Sequence, residues 1–396
     1  MKFLYNIFIL FYLIGIKIYS VFNKKTKKMV IGQKNILKRI HSETKDNTDI
    51  VWFHASSLGE YEQGKSVILS YKKKNPSHKI LLTFYSPSGY DAVKKNHIVD
   101  WIFYLPHDTK NNARFIACIV KPIKVVFIKY EFWFHYIQEL YQQKIPIYFM
   151  SCKFRKDQYF FKFYGKWFAK QLQKVSHFFV QDMESEQLLK SINIKNISIS
   201  GDSRFDTVFS NSTKGFSDKR IESFIQKEKV IILGSVWEED LKLFNDFNIL
   251  PDYKIIIAPH EIDKISTYQQ LSNSILLSKS DSKKISNYRI LIIDKIGILS
   301  KTYRYADIAY IGGGFGKGIH NTLEAAIYNI PVLHGPNYDK FIEAKELLSL
   351  GLSHYVKSTE ELISSVKYFE NTEIKQKSTE YIASKLGAAQ KITDYI

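Results

Sequence analysis

From residue 50 onward, apolar runs of four to six residues alternate with helix-length amphipathic segments. The strand candidates are 50–54, 80–85, 101–105, 125–129, 147–151 and 177–181, with a short seventh at 197–200. Between them, 60–74, 88–96, 110–120, 132–143, 158–175 and 184–191 carry the spacing of helices. Strands apolar on both faces, each followed by a helix, predict a parallel sheet covered on both sides. A polar stretch, 210–228, then reads as a connection between domains. A second alternation follows, with strands predicted at 230–234, 254–258, 275–277, 290–293, 308–311 and 331–333 and helices at 239–248, 300–305, 321–328 and 339–350. The pattern is that of an α/β protein with two doubly wound domains, 32–209 and 229–396, facing one another across a cleft. No repeat of solenoid length interrupts it.

Ahead of the alternation lies an apolar run over 3–22, broken by Asn6, Lys17 and Ser20 and just long enough to cross a bilayer core. Lys2 is the only charge before it, and Ile18-Tyr19-Ser20-Val21-Phe22 is too bulky for a good cleavage site. A retained anchor over 1–22 is therefore expected. Lys24, Lys25, Lys27 and Lys28 follow at once, which places the body of the protein on the cytoplasmic side of the inner membrane. Lys17 leaves room for a shallow, interfacial helix instead of a full span.

Charge narrows the partners. The excess of 57 Lys and Arg over 39 Asp and Glu, a formal +18, favours anionic partners such as lipid or a phosphorylated substrate. Zinc-knuckle, basic-zipper and RNP-like patterns are missing from the sequence, so nucleic acid is not an expected partner. Cys118 and Cys152 make neither a disulfide framework nor a metal-binding pair. No metal and no cofactor is expected.

In open α/β sheets, ligands bind beyond the carboxyl ends of strands, which confines candidate chemistry to the loops there. After 308–311 comes Gly312-Gly313-Gly314-Phe315-Gly316-Lys317-Gly318-Ile319-His320-Asn321-Thr322-Leu323-Glu324. A glycine cluster between strand and helix can bring backbone N–H groups to an anion. After 50–54 comes Ala55-Ser56-Ser57-Leu58-Gly59-Glu60, where Glu60 opens a helix and a carboxylate can serve as general base. Glu131 opens the helix after 125–129 beside Trp133, Arg204 sits near the domain crossing, and Ser235 and His260 follow strands of the second domain. His334 has no companion at metal-ligand spacing. A P-loop and a G-x-G-x-x-G after the first strand are both missing, which argues against a P-loop ATPase and a simple dehydrogenase.

Six of these segments, in order, resemble the 3-deoxy-D-manno-octulosonic acid (Kdo) transferase family, lipid A-specific, of the GT-B glycosyltransferase fold. His54-Ala55-Ser56-Ser57-Leu58-Gly59-Glu60 resembles H-A-x-S-x-G-E, and Glu131-Phe132-Trp133 resembles the family's E-x-E-L-W. Gly201-Asp202-Ser203-Arg204-Phe205-Asp206 is similar to G-N-x-K-F-D, with arginine for lysine. Gly312-Gly313-Gly314 and His320-Asn321-Thr322-Leu323-Glu324 are similar to G-G-S and H-N-P-L-E, and Gly335-Pro336 with Phe341 to G-P-x-x-x-N-F. The resemblance implies two Rossmann-like domains, an N-terminal anchor, and inverting, metal-independent transfer of Kdo from CMP-Kdo to lipid IVA, a lipid A precursor. It puts Glu60 at the general-base position, with Ser56, Ser57, Gly59 and Glu131 on the acceptor side. Gly312, Gly313, Asn321 and Glu324 fall on the CMP side, with Ser235, His260 and Arg204 as further donor contacts. Ala258-Pro259-His260 departs from the family's P-R-H by lacking its arginine. The residues leave open a GT-B transferase or epimerase acting on a UDP-sugar, and a non-catalytic membrane-bound binder of anionic lipid.

Overall fold

The computed structural model describes residues 2–94, 98–244, 247–281 and 284–396. The helix expected at 88–96 therefore ends in residues outside those described, and the one expected at 239–248 contains two such residues, 245 and 246. Two compact units are present, Met1–Thr207 with Lys385–Ile396, and Val208–Ser384. The sequence pattern assigned the C-terminal tail to the second domain; in the structure its last twelve residues belong to the first. There the helix Ala388–Tyr395 buries Ala389 and Ile392 in the core of the first sheet. Asp206 accepts the Gly387 and Ala389 N–H groups at 2.8 and 3.1 Å and so caps that helix, an arrangement worth about 1 kcal/mol.

The first unit holds β1 (Ile50–Ala55), β2 (Lys79–Phe84), β3 (Trp101–Tyr104), β4 (Lys124–Ile128), β5 (Ile147–Cys152), β6 (His177–Val180) and β7 (Ile197–Ile199). They form a parallel sheet in the order β3-β2-β1-β4-β5-β6-β7. Both faces are covered, as the unbroken apolar strands require. Trp52 packs into one buried cluster with Leu81 and Phe127, while its neighbours Val51 and Phe53 pack into the other with Ile80 and Val126.

The second unit holds β8 (Lys229–Val236), β9 (Tyr253–Pro259), β10 (Ser274–Leu276), β11 (Ile290–Ile292), β12 (Ile308–Ile311), β13 (Val332–His334) and β14 (Ser353–Tyr355). Their parallel order is β10-β11-β9-β8-β12-β13-β14. β14 has no counterpart in the sequence reading, because Ser-His-Tyr at a sheet edge carries no apolar run. In each sheet the chain order reverses beside the unit's first strand, at β1/β4 and at β8/β12. These switch points are where open sheets leave a crevice, and the glutamate loop and the glycine loop lie at them.

Helices depart more from expectation. α1 (Lys2–Tyr19), α2 (Lys24–Gly32), α3 (Ile36–Thr44) and α4 (Leu58–Lys74) open the first unit, with Ile36 and Ile40 of α3 buried against its sheet. The helix expected at 158–175 is two 3₁₀ turns, Tyr159–Phe161 and Phe163–Gly165, followed by Lys166–Leu172. Its aromatic run has no 3.6-residue period, and a Cβ at Gly165 would lie 1.6 Å from the Tyr159 carbonyl oxygen. The helix expected at 321–328 shrinks to Leu323–Ala326. The polar stretch 210–228 is not a bare linker: it contains the helix Lys219–Ile225, which buries Ile221 and Phe224. Arg304 donates to the Ser212, Lys214 and Phe216 carbonyls and holds the start of that stretch on the second unit.

Candidate active-site residues

In the first unit, β1 delivers its C-terminal end into Ser56 and Ser57, and Ser57 in extended conformation caps α4. Glu60 sits in the first turn of α4, where its negative charge faces the positive end of the helix dipole. The Ser57 hydroxyl donates to Glu60 Oε2, tethering one carboxylate oxygen to the cap. Glu60 is half-buried, and Leu58 and Gly59 beside it are exposed. The loop is braced from behind. His54, fully buried, bonds Thr83 Oγ1 at 2.8 Å through Nδ1 and Glu131 Oε2 at 3.2 Å through Nε2. Trp52 Nε1 donates to the same Thr83 hydroxyl and Trp133 Nε1 to the same Glu131 oxygen, both at 2.8 Å. Glu131 is thus a buried strut reached through a histidine, whereas Glu60 keeps an edge toward solvent.

Gly201–Asp206 closes the first sheet. Ser203 is buried and bonded to Ser151 and the Gln63 carbonyl. Arg204 forks onto Asp202, with Nε and Nη2 at 2.8 and 2.6 Å. To meet a phosphate, its guanidinium would have to share that partner.

In the second unit the glycines do something the sequence did not foretell. A Cβ on Gly312 would lie 2.5 Å from the Ser235 carbonyl oxygen and the Val236 Cα, and one on Gly314 would lie 2.5 Å from the Gly335 Cα. The end of β8 and the loops after β12 and β13 pass backbone against backbone, and only glycine fits. Gly313 has φ +92°, and its N–H donates to the buried Asp240 carboxylate at 2.8 Å. The Gly312 N–H goes to the Gly234 carbonyl at 2.9 Å. Both amides expected to greet an anion are therefore spent inside the fold. Asp240 also accepts from Trp237 N at 2.8 Å and the Tyr310 hydroxyl at 2.9 Å. Burial nevertheless raises its pKa.

The glycine scaffold instead presents side chains. Trp237, His260 and His320 form a stack, His260 lying 4.5 Å from Trp237 and 4.3 Å from His320 between ring centroids. Trp237 Nε1 donates to His320 Nε2 at 3.0 Å, which requires that nitrogen to be unprotonated. Burial, then the neighbouring His260, push the His320 pKa down to about 4, so the ring is neutral and can accept there with its proton on Nδ1. His260 is exposed and borders a depression of about 550 Å³ with Glu261, Lys295, Ile296 and Leu299. Asn321 accepts the Leu323 N–H and donates to Glu324 Oε1 at 3.2 Å, so the two polar residues turn together at the start of their short helix. Ser235 holds φ +54° at a bulge in β8, a conformation costly for a residue with a Cβ.

Comparison with known proteins follows the same lines. Residues 32–207 match the family model described as 3-deoxy-D-manno-octulosonic-acid transferase (kdotransferase). The Kdo transferase of Aquifex aeolicus is 24% identical over 339 residues, covering 84% of this chain and 90% of that protein. That of Chlamydia muridarum is 25% identical over 337 residues, covering 77% and 74%. Residues 32–207 thus carry the Kdo transferase domain. The chain is also 27% identical, over 90% of its length, to a bifunctional glycosyltransferase/methyltransferase of Fusobacterium nucleatum, of which it spans 58%. Among solved structures, a UDP-GlcNAc 2-epimerase from Neisseria meningitidis aligns with TM-score 0.59 at 15% identity, covering 87% of this chain and 98% of that one. A glycosyltransferase from Rickettsia africae aligns with TM-score 0.57 at 14% identity, covering 88% and 98%. At such identities these likenesses speak to fold, and the fold is GT-B.

Within this chain, the structure groups Ser56, Ser57, Gly59, Glu60 and Glu131 at the first switch point. It groups Ser235, His260, Gly312, Gly313, Asn321 and Glu324 around the second. Arg204 stands apart at the end of the first sheet. Sequence reasoning missed Asp240, Trp237 and His320 as a working set. The signal was present in Trp237-Glu238-Glu239-Asp240, where an acid three residues after a helix cap can bond back to it. Among the described residues, no three His, Cys, Asp or Glu side chains gather to hold a metal ion.

Proposed function

We propose that this protein is an inverting, metal-independent glycosyltransferase that moves Kdo from CMP-Kdo to lipid IVA in lipopolysaccharide core biosynthesis, working at the cytoplasmic face of the inner membrane. The observation that carries this reading is Glu60, a half-buried carboxylate at a helix N-terminus, tethered by Ser57 and backed by the His54–Thr83–Glu131 brace. A carboxylate so held has little freedom to lose when a substrate hydroxyl meets it. In the proposed reaction the acceptor hydroxyl gives its proton to Glu60 as its oxygen attacks the anomeric carbon from the face opposite CMP. The bond from that carbon to the phosphate oxygen breaks, and CMP leaves with the electron pair. Hydrogen-bond donors at the second switch point would offset the charge gathering on the leaving phosphate. His260 and Ser235 are the donors proposed there; Arg204, at the end of the first sheet, is a further proposed donor contact once it releases Asp202. Asn321 and Glu324 would hold the ribose. Gly312 and Gly313 would act indirectly, by letting three loops close on one another.

Glu60→Ala tests the assignment. Transfer should fall by about 10²- to 10⁴-fold, the usual contribution of a general base, while CMP binding by calorimetry stays unchanged. Transfer at the wild-type rate would remove Glu60 from the role.

A further inference from the structure

α1 touches the first unit along a single stripe. Tyr5, Ile9, Leu13 and Ile16 face the domain while most of the helix is exposed. The Tyr5 hydroxyl donates to the buried Asp108 at 2.5 Å, Asn6 bonds His135 at 2.7 Å, and Tyr85 donates to the Tyr12 hydroxyl at 2.8 Å. The helix is thus laid against the domain along much of its length. A spanning orientation in that arrangement would carry Asp108, Lys110 and His135, which line a cavity of about 270 Å³ beneath α1, toward hydrocarbon. Ionisable groups are expensive there.

Beside the same helix stands a second apolar feature that the proposed chemistry does not use. Tyr5 packs near Trp167 and Phe168, and Tyr159 stacks edge-on against Phe168 at 4.8 Å. This ties the aromatic turn at 159–165 to the N-terminal part of α1. At its tip Phe163 is 85% exposed and Tyr164 60%, against a usual tendency of such side chains to be covered. Lys162, Lys166 and Lys170 around the tip are exposed, as are Lys2, Lys17, Lys24, Lys25 and Lys27 along and after α1. Aromatic side chains ringed by lysines match a bilayer whose apolar interior lies under anionic headgroups.

We propose that the protein holds an anionic bilayer at two points: α1 lying in the interface with its docked stripe inward, and the Phe163–Tyr164 turn inserting beside it. The proposal rests on the reading that the protein works at a membrane, and it adds where and how the two meet. The full chain is floated on a density gradient with vesicles of phosphatidylethanolamine and phosphatidylglycerol, and with phosphatidylcholine alone. Binding is expected for the anionic vesicles, and Phe163→Ser with Tyr164→Ser should lower the partition about tenfold, as expected for losing buried aromatic area. Lys162→Glu with Lys166→Glu should lower it at low salt and leave thermal unfolding in place. Equal flotation of wild type and both variants overturns the second contact. Failure of the wild type to float with either vesicle overturns the membrane reading itself. A protease-cleavable tag fused to the amino end should be cut in inverted inner-membrane vesicles; a protected tag means that α1 crosses the bilayer and ends the in-plane account.

Discussion

The two switch points of this molecule solve different problems with the same topology. At β1/β4 the backbone has one left-handed residue, Lys129 just after β4, and the polar side chains are engaged in depth, so that one carboxylate, Glu60, is fixed yet left at the edge. At β8/β12 the backbone is under constraint, with Gly312 and Gly314 jammed against neighbouring loops and Ser235 in a left-handed conformation. There the Gly312 and Gly313 amides are taken up inside the fold, and side chains mounted on the loop are left to face outward. A glycine cluster can therefore be a construction device at a ligand site without being the ligand's own partner.

If the two halves divide chemistry from donor binding, substitutions should separate them. Glu60→Gln is expected to cost about 10²- to 10⁴-fold in kcat with KM for CMP-Kdo nearly constant. Glu324→Gln should instead raise that KM with a smaller change in kcat, and the reverse pattern would break the division. Next in size, Gly312→Ala pushes a methyl group into the Ser235–Val236 backbone and should destabilise the fold by about 3 kcal/mol in denaturant unfolding. Full stability would mean that the loops are not packed as described.

Asp108 gives a pH test confined to the first unit. Burial raises its pKa to about 6, against the opposing pull of its hydrogen bonds from Tyr5 and from the His135 and Tyr136 amides. As pH falls from 6 toward 4 the folded carboxyl takes its proton before the unfolded one does, so this group favours folding on the acid side. That favour is lost as pH rises through 6. It amounts to about 3 kcal/mol for a shift of about two pH units. Asp108→Asn should therefore lose stability relative to wild type most at pH 4 and least at pH 7; a difference independent of pH would contradict this. Smaller still, His260→Ala should weaken CMP binding about tenfold, one hydrogen bond's worth. Gly316→Ala, whose nearest neighbour is 3.7 Å away, should change stability by less than about 0.5 kcal/mol.

Much of this was legible in the sequence, for a physical reason. Parallel strands buried on both faces must be apolar throughout, so β1 to β6, β8 and β9 announced themselves within a residue or two. β14 and the C-terminal helix did not, because one is three residues at an edge and the other owes its place to a distant cap, Asp206. The setting of Glu60 was readable because it is local: an acid three residues after a serine cap. The work done by Asp240 was not, since its partners Gly313 and Tyr310 are 73 and 70 residues away in the chain. The glycines were found for a good reason, but that the Gly312 and Gly313 amides bond within the fold was not legible, because spacing shows that backbone must come close and not what it comes close to.

The central claim is that this chain transfers Kdo, and the most direct measurement is CMP release by the purified full-length protein from CMP-Kdo, with and without lipid IVA, with the lipid product identified by mass spectrometry. The account predicts CMP only when the acceptor is present, in step with lipid that has gained Kdo. Turnover of a UDP-sugar with CMP-Kdo left untouched would contradict it.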